Sequence, residues 1–179
     1  VITGSFKSNF YKSFNVIKKR ELFKLDNPMK NNESIVGLFG QPLFDNYSWY
    51  KETIKFFIGT IRRNNLDIKV IYKPHPKESE ASINWIKSEL KGINGIVDKQ
   101  IDTYSLLVGA DLVVSLFSTV GFELQNILYN SRVAFSSPMY LFFNRDCREW
   151  FKRYCKLDSI PMSRNNMSIL VNQQHALKD

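Results

Sequence analysis

Only two cysteines and two histidines occur among the 179 residues. The cysteines lack CxxC spacing, and so few ligands do not suit the cysteine-rich quartets of structural zinc sites. Cys147 and Cys155 lie eight residues apart. If both sit on one helix they are separated by about 12 Å along its axis, beyond the reach of a disulfide. They are therefore expected to be reduced, as in a cytosolic protein. No run of about 18 apolar residues exists, so no stretch reads as a membrane-spanning helix. The opening VITGSFKSNFYKSF has neither the apolar core nor the small-residue cleavage site of a signal peptide. It begins with Val, so the chain is expected to start inside a longer protein. There is no internal repeat and no low-complexity segment. The hydrophobic share of 44% excludes a disordered chain. The length suits one domain, or a domain with an extension.

Charge of one sign is in excess. The formal net charge is +8, which suits a nucleotide, a phosphate-bearing glycan or an anionic lipid surface. The basic residues are dispersed, with the densest clusters at Lys18-Lys19-Arg20 and Arg62-Arg63. Neither cluster lies in an aromatic recognition motif of the RNA-binding kind, so nucleic acid is not an expected partner. A solvated basic face is one reading of the excess. Attraction to the cytoplasmic membrane surface is another.

Residues 1–33 are basic and Asn-rich, and read as a linker or the remnant of a preceding domain. Phe10, Phe14 and Ile17 share helical spacing there, and Asp26-Asn27-Pro28 signals a turn. From residue 34 strands and helices alternate. Short apolar runs predict strands at 34–39, 68–72, 95–97, 112–116 and 132–135. Helical spacing predicts helices at 47–64, 79–91, 118–128 and 144–154, and Asp102 or Thr103 caps a short helix through Val108. Tyr50, Ile54, Phe57, Ile58 and Ile61 form the inner face of the first of these, with Asp45 or Asn46 as its cap. Ile83, Ile86 and Leu90 face inward on the second. Alternation of this kind implies βαβ units: an α/β, Rossmann-like parallel sheet with helices on both faces. The domain should occupy 34–160, with 161–179 a polar extension ending in a short helix.

Open parallel sheets bind ligands beyond the carboxyl ends of their strands. That rule selects Gly40-Gln41-Pro42, Lys73 to Pro76, Ser115 to Thr119, and Ser136-Ser137. In Lys73-Pro74-His75-Pro76 two prolines stiffen the loop that carries His75. A neutral imidazole can accept a hydrogen bond, and a protonated one can bind a phosphate and give it a proton. A loop histidine without a role is the alternative. Ser118-Thr119 opens a helix whose N–H groups and positive dipole end suit phosphate, although the two hydroxyls could equally serve as plain caps. Gly121 permits close approach, and Glu123 could accept from ribose hydroxyls. The GxGxxG fingerprint and the P-loop are both absent, which argues against dinucleotide oxidoreductases and NTPases.

The order Tyr72-Lys73-Pro74-His75-Pro76, then Ala110-Asp111-Leu112-Val113-Val114-Ser115, then Ser118-Thr119-Val120-Gly121-Phe122-Glu123 resembles the C-terminal domain of bacterial GT-B glycosyltransferases that use CMP-activated sugars. The lipooligosaccharide sialyltransferases and capsular polysialyltransferases are among them. Gly40-Gln41-Pro42-Leu43 also looks like the lipooligosaccharide enzymes. The resemblance covers roughly 34–140. It implies that His75 contacts the CMP phosphate and helps the nucleotide leave, and that Ser118 and Thr119 hold the same phosphate. By analogy with other GT-B domains, it implies that Glu123 holds the ribose. Lys73, Pro76, Gly40 and Gln41 complete the expected nucleotide site.

The implied activity is transfer of sialic acid or a similar sugar to a surface glycan such as lipooligosaccharide. Kdo, CDP-glycerol and UDP-sugar chemistry, or a non-catalytic nucleotide-binding scaffold, are the alternatives. No cofactor and no metal are expected, because the activated sugar is a substrate and no DxD pair lies near these loops. Expected partners are the nucleotide sugar, a glycan or glycolipid acceptor, an anionic membrane at the periphery, and a second copy of the chain. In this family the acceptor base lies in the N-terminal domain, in an acidic D/E-D/E-G motif that this sequence lacks.

Overall fold

A computed structural model describes residues 15–30, 33–163 and 168–177. Its elements in chain order are α1 (Val16–Asp26), β1 (Ser34–Phe39), α2 (Ser48–Arg63), β2 (Ile68–Lys73), α3 (Glu80–Glu89), β3 (Gly95–Val97) and α4 (Thr103–Gly109). There follow β4 (Leu112–Ser115), α5 (Val120–Ser131), β5 (Ser137–Leu141), α6 (Arg145–Cys155) and β6 (Ile169–Val171). Single 3-10 turns occupy Pro161–Ser163 and Gln174–Leu177.

All neighbouring strands pair in parallel, in the order β3-β2-β1-β4-β5-β6. The chain winds outward from β1 to β3, then crosses back to β4 on the other side of β1. The carboxyl ends of β1 and β4 therefore flank the switch point, where two connections leave in opposite directions and open a crevice. This is the α/β, Rossmann-like sheet that the alternation predicts.

Strand residues alternate between two cores. Val36, Leu38, Val70, Tyr72 and Val114 point to the face covered by α2, α3 and α6. Ile35, Phe39, Ile71 and Val113 point to the face covered by α1, α4 and α5. Burial on both faces explains why these strands read as continuous apolar runs rather than alternating ones. The predicted inner face of α2 is buried throughout: Tyr50, Ile54, Phe57, Ile58 and Ile61 are all at most 5% exposed. Each such side chain contributes about 1.5–3 kcal/mol relative to exposure.

Several expectations need correction. The strand placed at 132–135 forms instead at Ser137–Leu141. Arg132 takes the left-handed conformation (φ 57°) that ends α5, so the apolar Val133-Ala134-Phe135 is a connector. Ser136 and Ser137 thereby move to the amino edge of the sheet, opposite the ligand edge. Neither Asp45 nor Asn46 caps α2; Tyr47 occupies the cap without a side-chain bond, and Asp45 accepts from Ser79 Oγ (3.0 Å) instead. The helix expected from residue 118 begins at Val120. The tail contributes β6, which the sequence pattern did not predict.

Helix α1 buries Val16 and Phe23 and leaves Ile17 59% exposed. Its inner face is thus not the one that Ile17 suggested, and Phe10 and Phe14 lie outside the described residues. Arg20 of α1 donates to the carbonyls of Val108, Gly109 and Ala110 and pairs with Asp111. It satisfies the last carbonyls of α4, which have no partner within their own helix. Asp111 in turn accepts from the Ile35 N–H (2.8 Å) at the start of β1. Both cysteines lie on α6, one buried and one exposed, and neither is paired. Burial pushes the Cys147 thiol up to about 12. Among the described residues no helix is long and apolar enough to cross a membrane.

Candidate nucleotide site

Three turns meet at the carboxyl edge: residues 40–42 after β1, 73–78 after β2, and 116–121 after β4. Their strands are adjacent in the order β2-β1-β4. Strand spacing sets the two outer turns about 10 Å apart.

The β2 turn is closed from both ends. The Glu78 N–H donates to the His75 carbonyl (2.9 Å), making His75-Pro76-Lys77-Glu78 a four-residue turn with proline at its second position, where its fixed φ fits. The Glu78 carboxylate returns the bond, accepting from the His75 N–H (2.8 Å). The Lys77 N–H donates to His75 Nδ1 (3.1 Å). With Nδ1 accepting, the neutral ring carries its proton on Nε2 and offers a hydrogen-bond donor there. Burial, with the charge of Lys77 second, holds His75 below its ordinary 6.5 and so keeps the ring neutral near pH 7. The acceptor role considered for the neutral ring is therefore taken by Lys77, and Nε2–H is what remains for a ligand.

His75 and Pro76 line a cavity of about 230 Å³ together with Lys73, Pro74, Glu78, Glu80, Ile83 and Lys99. The Lys73 ammonium donates to the Ile101 carbonyl (2.5 Å), which turns it toward the β3 side. The Gly40 N–H donates to the Lys73 carbonyl (2.9 Å). A Cβ on Gly40 would stand 1.8 Å from Glu78 Oε1 and 2.3 Å from the Tyr72 hydroxyl. Glycine is required there because the neighbouring turn occupies that space.

The β4 turn is held differently. Phe117 stacks on Trp150 of α6 (5.5 Å, 16°) and packs against Phe151 (5.4 Å) and Trp49 (6.4 Å). Thr119 is exposed and makes no capping bond. Ser118 Oγ accepts only a long bond from Val120 N (3.4 Å). Plain side-chain capping thus has little geometric support, and the first-turn N–H groups of α5 face the edge. Gly121 lies over Tyr140, whose hydroxyl would be 2.1 Å from a Cβ. That hydroxyl is buried without a partner, and burial pushes it up to about 12. Glu123 accepts from the Tyr104 hydroxyl at 3.4 Å, on the α4 side of the helix.

Gln41 joins the two turns. It is 9% exposed, and its Oε1 accepts from the Phe117 N–H (3.3 Å). Its own N–H donates to the Tyr50 hydroxyl (3.0 Å). The Tyr50 and Tyr72 hydroxyls, on fully buried side chains, are 3.3 Å apart. Tyr72 donates to Glu78 Oε2 (2.7 Å), which also accepts from Ser82 Oγ (2.9 Å). Burial, then Tyr50 and Glu78, raises the Tyr72 phenol far above its usual range. Burial likewise raises Glu78, against three hydrogen bonds that favour its ionised form. Sequence reasoning missed Glu78, Tyr50 and Tyr72 as site residues. A signal was present, because two tyrosines on predicted core positions need partners for their hydroxyls.

Solved structures of the wall teichoic acid polymerase TagF share this arrangement of elements. A variant with a His-to-Asn change matches at a TM-score of 0.61 and 12% identity, over 96% of this chain and 40% of that one. The fold is that of a GT-B domain. The same variant after a CDPG soak matches at 0.58 and 9% identity, over 96% and 37% of the two chains. A further TagF structure matches at 0.56 and 12%, over 95% and 38%. The chain thus spans about two-fifths of the length of these structures. No protein-family model matches the sequence, and no curated protein matches it.

Proposed function

We propose that this chain is the nucleotide-binding half of a GT-B glycosyltransferase that takes a cytidine-activated donor. The observation that carries the reading is the pairing of the His75 turn and the α5 N-terminus on either side of the switch point, joined through Gln41. In transfer, negative charge grows on the leaving phosphate. His75 Nε2–H and the N–H groups of α5, with Ser118 and Thr119, are preorganised toward that charge and lower the barrier. Lys73 adds positive charge at the same edge. The activated substrate supplies the leaving group, and neither a metal nor a further cofactor enters this reading. Glu123 is the residue proposed for the ribose. The acceptor base is supplied by a segment outside this chain, and a surface glycan or glycolipid is the acceptor.

Two donors fit. The sequence motifs favour a CMP-sugar such as CMP-sialic acid. The TagF structures, one of them soaked with CDPG, favour a CDP-linked donor, which we read as CDP-glycerol. Calorimetric titration of the chain with CMP, CDP and UDP separates them. CMP binding as tightly as CDP supports the sugar donor, and a clear preference for CDP supports the CDP-linked one. Tighter binding of UDP than of either would remove both.

A further inference from the structure

The Glu78 side chain hydrogen-bonds both the His75 turn and the buried hydroxyl chain. An ionised carboxylate only accepts. With Glu78 receiving from Tyr72, the Tyr50–Tyr72 contact has Tyr50 as its donor, and Tyr50 is then free to accept from Gln41 N–H. Every proton in the chain therefore points toward Glu78. At the other end, the side chain of Gln41 fixes the Phe117 N–H, one residue before Ser118. Tyr50, Tyr72 and Gln41, the middle of the chain, are buried, so water does not readily replace a partner lost between them, and a break at one link is felt at the next.

We propose that Glu78 is a positioning residue for the nucleotide site: it orients His75 directly and sets the β4 turn through Tyr72, Tyr50 and Gln41. This rests on the reading that the two turns bind one nucleotide phosphate group. The role proposed for the carboxylate is to hold the turns, although it also lines the cavity beside His75. It makes the two phosphate-binding turns a single rigid unit rather than two independent loops.

Glu78→Gln preserves shape but cannot preserve the pattern. With its oxygen toward Tyr72, its NH2 group meets the His75 N–H donor to donor. With its oxygen toward His75, the NH2 meets Tyr72 and reverses the chain, leaving Tyr50 without an acceptor. Tyr72→Phe cuts the same chain while leaving the His75 turn closed, and serves if E78Q does not fold.

The test uses the 179-residue chain. Without ligand, ¹⁵N NMR should show the His75 and Phe117 amides both shifted in E78Q, and Phe117 shifted in Y72F. A Phe117 amide that stays put in both variants overturns the proposal. With CMP and CDP, E78Q should weaken binding about tenfold, the scale of one buried hydrogen bond to a charged group. The losses from E78Q and Ser118→Ala should be non-additive, although distant unconnected sites add. That coupling should vanish in the Y72F background. Strict additivity in a chain that binds nucleotide also overturns the proposal. If the unaltered chain binds no cytidine nucleotide, the functional reading fails, and the amide shifts still decide the role of Glu78.

Discussion

The turn after β2 and the turn after β4 occupy equivalent places in the sheet but are held by opposite means. The first is fixed by directional hydrogen bonds that converge on Glu78. The second rests on ring packing around Phe117, with few bonds from its own side chains. Hydrogen bonds fix orientation and fail if one partner is removed. Aromatic packing fixes position but tolerates small rotation. One turn therefore presents a preset imidazole, while the other presents backbone N–H groups that a phosphate could complete. A site built this way needs only one rigid wall, provided that the second is tethered to it, as Gln41 tethers it here.

The contrast can be broken from either side. Phe117→Ala removes the packing that holds the β4 turn. It should cost about 2–4 kcal/mol of stability, as for other large truncations in packed sites, measured by urea denaturation. A loss below about 0.5 kcal/mol, the scale of an unimportant surface change, would show that the turn is held by something else. His75→Ala should leave stability nearly unchanged, since the ring accepts one bond from Lys77. Affinity for CMP or CDP should fall about 10- to 100-fold, the range for a hydrogen bond to a charged group. Equal affinity in the variant would remove His75 from the site.

Tyr140→Phe deletes a hydroxyl that is buried without a partner. Thermal unfolding should show equal or higher stability, by up to about 1 kcal/mol. A marked loss would mean that the hydroxyl has a partner in solution. The smallest expected effect is a pH trend. Burial holds the Glu78 carboxyl above its ordinary 4.5, against three hydrogen bonds that favour the ionised form, so ionising it costs more in the folded chain than in the unfolded one. The stability this contributes is present below the unfolded pKa and is lost as pH rises through the folded one. Glutamine does not titrate. The Tm of E78Q relative to the unaltered chain should therefore rise as pH increases through the titration of the carboxyl, and a falling difference would contradict the sign.

Much of the architecture was legible because it follows from local rules. Tyr50, Ile54, Phe57, Ile58 and Ile61 repeat at helical spacing, and all are buried. Asp102 caps the short helix it precedes. The error at β5 has a physical source. Val133-Ala134-Phe135 is apolar enough to read as a strand, whereas the true strand contains Pro138, which lacks an N–H for the ladder. Strand β6 is three residues in a polar tail and is held by pairing with β5 and by burial of Val171. At the edge, His75 and Ser118 were legible from proline and helix-start chemistry. The Glu78 chain was not, because it links residues 41, 50, 72, 78 and 117 that only the sheet order brings together.

The clasp made by Arg20 has a kinetic side. Its bond to Asp111 closes a separation of 91 residues, whereas the β1–α2–β2 unit is local. Long closures carry entropy that is recovered only late in folding. Helix α1 should therefore dock after the transition state, acting as a latch on a domain already assembled. Arg20→Ala should speed unfolding and leave the refolding rate unaltered, which stopped-flow measurements would show.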